Sequence, residues 1–232
     1  MIFTAFICGL IFSIALFVSL SIWKENRGNK LAAAYAGFWF FFSFIWLFTG
    51  LRQIAAQFGF QELDKNFFII DQFFVFLHMA VGGYYIYLKL FGKEKYALTM
   101  SVIFSILGAV SFYGIFKYGV SLAAVTYFAT KWSLSQFSWI IFNILFVLLI
   151  GAVLLHCLRY IFGWLKNRKI TDFYPFLASF AILFYGLMGY FDEKGIVAGW
   201  PLIFFRLLYI VAVILAYVSF GVKRGALKET AN

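Results

Sequence analysis

Two residues in the stretch FFIIDQFFVFLHMAVGGYYIYLKLF, residues 67–91, carry chemistry that an apolar run does not need: Asp71 and His78. They stand seven residues apart, nearly two helical turns, so both project from one helix face that continues through Phe74, Val75, Gly82 and Tyr85. A carboxylate inside hydrocarbon is costly and calls for a cationic partner in the bundle interior. Arg206 supplies one. At ~1.5 Å per residue, Asp71 lies about 6 Å into its run and Arg206 about 8 Å into its own. The matched depths make Asp71–Arg206 the favoured ion pair. Arg52 is the second candidate for Asp71, and Asp192 and Glu193 compete for Arg206.

These groups admit two readings. In one, Arg52, Gln53, Asp71, Gln72, Asn143, Asp192 and Arg206 line a small outward-facing polar cavity, with His78 deeper on the same wall. In the other, the same charges only pin helix ends together. His78 falls near the midplane. It is either a neutral imidazole bonded to a Ser, a Tyr or a backbone carbonyl, or a ligand contact and proton-responsive group.

Other chemistries find little support. Ligation of a haem by His78 and His156 requires equal depth, yet they sit about 17 Å and about 30 Å from the outer edge. No carboxylate shares the spacing of the two histidines, so no metal site is assigned. The last apolar run, PLIFFRLLYIVAVILAYVSFG, contains no lysine for a retinal Schiff base, and Lys223 falls at the inner rim. The aromatic interior suits a noncovalent lipid or isoprenoid instead. No nucleophile elbow, P-loop or HExxH is present, so no catalytic residue is assigned. Cys8 and Cys157 lie toward opposite ends of their runs and read as inert core thiols.

The elements that position these residues follow from composition. The 232-residue chain is 65% hydrophobic and 12% charged, with a mean hydropathy of +0.95. A water-soluble domain of that composition lacks the polar surface to cover itself. Each membrane span needs about 20 mostly apolar residues. Seven runs qualify: 2–23, 31–51, 67–91, 97–117, 136–163, 173–191 and 201–222. The expected fold is therefore all-α, one polytopic bundle of seven transmembrane helices. The fifth span is the longest and the sixth the shortest. Pro175 falls in the first turn of span six and Pro201 opens span seven, where a missing N–H costs little. The connector 118–134, YGVSLAAVTYFATKWSL, is aromatic and β-branched, and reads as a small hairpin or a segment on the membrane surface.

The net charge of +10 is a topology signal rather than a nucleic-acid footprint, because the basic residues cluster between apolar runs. With the N-terminus outside, thirteen Lys and Arg face the cytoplasm. Only Arg52, Lys65, Lys117, Lys131 and Lys194 face outward. The expected orientation is N-terminus out, C-terminus in. Basic charges follow the first run instead of preceding it, so that run is expected to stay as an uncleaved span. The tail KRGALKETAN is expected to be too short for an output domain.

The stretch NRGNKLAAAYAGFWFFFSFIWLFTGL pairs a basic inner turn with a span that begins with small residues and continues with aromatics, including Trp39 and Trp46. With the His-bearing third span, it resembles the seven-span sensory regions of bacterial histidine kinases. That resemblance implies ligand sensing in the cell membrane of a bacterium or archaeon, and a membrane or cytoplasmic signalling protein as partner alongside the lipids. The kinase sensory regions normally feed a cytoplasmic catalytic domain, which this sequence does not show. The sequence leads to a receptor or sensor for a small or lipophilic ligand. The alternatives are a small-solute transporter and a non-catalytic subunit of a larger membrane complex.

Overall fold

The computed structural model describes residues 1–194 and 199–221. Val222, the expected last residue of span seven, and the basic residues Lys223, Arg224 and Lys228 lie outside the described residues. Seven helices follow in order: α1 (Ile2–Glu25), α2 (Lys30–Gln57), α3 (Gln61–Phe91), α4 (Glu94–Tyr118), α5 (Gln136–Asn167), α6 (Ile170–Lys194) and α7 (Trp200–Gly221). All seven are long and apolar enough to cross a membrane. Hydrocarbon offers backbone amides no water, and a helix satisfies them within itself. The fold is thus an all-α polytopic bundle.

Helices adjacent in sequence are adjacent in space, and α7 closes the ring against α1. Across the interior, α3 also meets α5. The connectors at one end are short. Asn29 caps α2 by accepting from the amides of Leu31 and Ala32 at 3.0 and 3.2 Å. Gly92, at φ 66°, takes the left-handed conformation that ends α3 and lets α4 begin two residues later. Across this end, Lys30 Nζ meets Glu94 at 2.9 Å. The hydrogen bond and charge of Lys30 hold the exposed Glu94 carboxyl below its ordinary value.

The opposite end carries the long connector, which takes the first of its two expected forms, a hairpin of β1 (Val120–Val125) and β2 (Thr130–Leu134). The strands are antiparallel, with an irregularity between Leu122 and Ala124. In the turn, Thr126 N–H and its hydroxyl both reach Ala129 O at 2.9 Å. The N-terminal ammonium donates to Tyr127 O at 2.7 Å, fastening the start of α1 to the hairpin tip.

Two expectations about the helices change. Span six is not the shortest, since α6 runs 25 residues against 22 for α7. It continues through Asp172 at one end and Asp192 at the other, because a helix end tolerates charges that an apolar window excludes. Pro175 accordingly sits inside α6 rather than in its first turn, and its missing N–H leaves the Thr171 carbonyl without its helical donor.

The core is built on one face of α2. Tyr35, Trp39, Phe42 and Trp46 recur at three- and four-residue intervals and are all buried. The Tyr35 ring stacks on Phe220 at 4.5 Å, and its hydroxyl donates to Ala178 O at 3.2 Å. Lipid tails are as apolar as these rings, so close packing rather than water exclusion holds the helices together. Glycines set the approach of α3. A Cβ on Gly82 would come within 2.7 Å of the Phe38 ring of α2, and one on Gly83 within 3.1 Å of Phe104 of α4. Gly151 has open space around it. Gly82→Ala is therefore expected to destabilise the bundle by about 1–3 kcal/mol in unfolding titrations in mixed micelles. Gly151→Ala is expected to be neutral or slightly stabilising in the same assay.

Candidate functional site

At the hairpin end, α2, α3, α5, α6 and α7 enclose a cavity of about 220 Å³ that the hairpin covers. It forms because α3 packs on α2, α4 and α5, while α7 packs on α6 and α1. The two helices bearing Asp71 and Arg206 therefore stand on different walls of the bundle.

Six of the eight residues singled out from the sequence line this cavity: Arg52, Asp71, Gln72, His78, Asp192 and Arg206. Gln53 and Asn143 do not. Gln53 is fully buried and turns to the hairpin, its Oε1 accepting from the Thr130 amide at 3.2 Å. Asn143 donates to Trp139 O at 2.6 Å and accepts from the Tyr190 hydroxyl at 3.1 Å. It supports the wall through Tyr190, which does line the cavity.

The favoured Asp71–Arg206 pair is replaced by two others. Arg52 Nη1 lies 3.8 Å from Asp71 Oδ2, and Arg206 Nε lies 3.4 Å from Asp192 Oδ2. Equal depth fixed the height of Asp71 and Arg206 but not their bearing around the ring. The second candidate for Asp71 and the competitor for Arg206 are the partners observed. Arg206 also directs Nη1 toward Cys8 Sγ at 3.6 Å and stands over the Trp46 ring at 5.6 Å.

Asp64 is the functional residue that the sequence reading missed. It is 1% exposed and receives Arg52 Nε at 3.2 Å and the Trp132 indole N–H at 2.8 Å. The expected span began at residue 67, whereas α3 begins at Gln61 and takes Asp64 into its first turn. The signal was available as spacing: Asp64, Asp71 and His78 recur every seven residues on one face of α3. Arg52 thus ties α2 to α3, and Asp64 ties both to the hairpin. The Arg52 guanidinium also covers the Phe68 ring at 4.7 Å.

His78 forms the deeper polar point. Its Nδ1 lies 2.9 Å from the Phe38 carbonyl, which can only accept, so Nδ1 carries the proton. In the neutral ring Nε2 is then an acceptor, and it has no hydrogen-bond partner among the described residues. The imidazole lies against the Phe38 ring at 3.7 Å and meets the edge of Tyr185 at 5.1 Å. The backbone-carbonyl contact expected for a histidine at this depth is present, and the second nitrogen belongs to a residue lining the cavity. His156 lies elsewhere, with Nδ1 held 2.7 Å from Ser179 Oγ, and it does not line this cavity. Cys8 and Cys157 are both buried free thiols.

Asp64→Asn removes a charge from a buried pair and is expected to cost about 3–5 kcal/mol. Trp132→Phe removes one hydrogen bond to a carboxylate and is expected to cost about 1.5–3 kcal/mol. Both should speed proteolytic nicking at the 126–129 turn, as read by limited proteolysis and mass mapping. No protein-family model, curated protein or solved structure matches the chain, so its chemistry has to be read from this cavity and its own residues.

Proposed function

We propose that the chain is a receptor- or sensor-type protein of the cell membrane, binding a small or lipophilic ligand in the cavity beneath the hairpin. The hairpin end faces outward, with the N-terminus outside and the C-terminus cytoplasmic. One observation carries the binding reading: the cavity is walled by buried polar side chains and aromatic rings, and Asp71 Oδ1, Gln72 Oε1 and His78 Nε2 have no hydrogen-bond partner among the described residues. A mere pin would need the ion pairs but no cavity beside them.

The cationic asymmetry supports the orientation. Arg206 apart, ten of the described Lys and Arg lie toward the end opposite the hairpin and five toward the hairpin end. Binding is favoured over transport because several polar groups in the other half of the bundle pair locally, Tyr85 Oη and His156 Nε2 being atoms there with no hydrogen-bond partner among the described residues. Ser19 donates to Ala36 O at 2.7 Å, Tyr35 to Ala178 O at 3.2 Å, and Ser179 pairs with His156. A bound state can be relayed to a membrane or cytoplasmic partner through the helices that meet at the cavity.

Native mass spectrometry of the purified protein is expected to show a retained small molecule, lost or reduced in Arg206→Leu protein that still melts cooperatively. Ligand-free, monodisperse protein that copurifies with another membrane subunit would contradict the receptor reading. The orientation has its own check in intact cells, because the two native cysteines are buried. An impermeant maleimide should label Ser121→Cys in the hairpin and spare Asn167→Cys at the other end. The reverse pattern would invert the topology.

A further inference from the structure

Charged side chains gather at the hairpin end. Arg52, Lys131 and Arg206 line the cavity together with Asp71, Asp192 and Glu193, and Asp64 adds a fourth carboxylate through its 3.2 Å contact with Arg52. Among the lining residues three cations face three acids, and Arg52 is shared between Asp71 and Asp64. Lys194 is exposed to solvent and stands over the Trp139 and Tyr190 rings, 4.3 and 5.7 Å from their centroids.

The sharing is unequal, and Asp71 has the weaker part. Arg52 is committed to Asp64 at 3.2 Å and reaches Asp71 only at 3.8 Å, through the other oxygen, Oδ2. Asp71 is 5% exposed, and its Oδ1 has no hydrogen-bond partner among the described residues. Gln72 Oε1 and His78 Nε2 are also unpartnered, on residues each 2% exposed. All three are acceptors, all belong to α3, and all three residues line the cavity. Tyr185 and Tyr209 line it as well, and the face of an aromatic ring attracts a cation; the face of Trp46 is already under Arg206.

Resting on the ligand-binding reading, the geometry points to a small organic ammonium as the ligand: a primary amine on an apolar or aromatic body. Its N–H groups would meet the acceptors of α3, its charge would face the carboxylate that Arg52 uses less, and its body would lie among the aromatic walls. A bare metal ion fits less well. Among the described residues, no three His, Cys, Asp or Glu are grouped to hold one, and aromatic walls offer it no ligands.

Three probes of one shape separate the possibilities: 2-phenylethylammonium, the neutral 2-phenylethanol and the anionic 3-phenylpropionate. They would be titrated calorimetrically into the full chain in nanodiscs. The ammonium should bind at least about tenfold tighter than the alcohol, and the carboxylate most weakly. Asp71→Asn should abolish the preference for the ammonium, and Gln72→Leu should weaken ammonium binding several-fold. If the Asn variant does not fold, the Leu variant decides. Equal binding of the alcohol, tighter binding of the carboxylate, or an unchanged preference in the variants would overturn the inference. So would an Asp71-dependent response to sodium chloride alone, which would make the ligand an inorganic cation. If no probe binds while native mass spectrometry still finds a retained molecule, the ammonium assignment falls and the binding reading stands.

Discussion

One guanidinium and two acids on a single helix face govern the hairpin end of this bundle. Arg52 is buried and must keep its charge in a region that solvates charge poorly, so it needs carboxylates close by. It has Asp64 at 3.2 Å and Asp71 at 3.8 Å, nearly two turns apart on α3. The closer acid also takes the indole N–H of Trp132. One contact thereby joins two helices to the strand that covers them. Replacing such a cluster with apolar residues can be harmless to stability, whereas removing one member leaves a buried charge uncompensated. The asymmetry between the two acids has a chemical consequence: the carboxylate less used by Arg52 is the one that faces the cavity.

Packing further along the bundle makes that cavity well defined. The aromatic face of α2 fills the centre, and Gly82 lets Phe38 approach α3 closely enough for its carbonyl to fix the His78 ring. The imidazole is sandwiched by geometry as well as by hydrogen bonding, so Nε2 has little freedom to seek another partner. Asp192 holds Arg206 on the far wall, and Asp71 and His78 remain on the near one. A site preorganised in this way loses little conformational freedom on binding. A ligand bridging the walls would couple α3 to α7, two helices that pack on different neighbours, and that coupling is the physical content of the sensing proposal.

Most of the architecture was legible in the sequence because a span announces itself by length and hydropathy. The seven runs became seven helices, and the β-branched connector became a hairpin. The shared face of Asp71 and His78 followed from their spacing alone. The errors came from quantities a hydropathy window does not contain. Asp64 precedes the apolar run and reads as loop, yet its partners Arg52 and Trp132 draw it into the helix and bury it. Asp71 and Arg206 have matching depths, but azimuth depends on the order of helices around the ring, which put a cavity between their walls. Gln53 and Asn143 were placed at the correct height and wrong bearing for the same reason. The Gln53 carbonyl is taken by Thr130, and the Asn143 amide by Trp139 and Tyr190.

The unequal sharing of Arg52 is the claim on which the cavity's chemistry rests. Double-mutant cycles pairing Arg52→Leu with Asp64→Asn and with Asp71→Asn, read by unfolding in mixed micelles, measure it directly. The account predicts a coupling on the order of 2 kcal/mol for Arg52 with Asp64 and well under about 1 kcal/mol for Arg52 with Asp71. Equal couplings, or a larger one to Asp71, would contradict it.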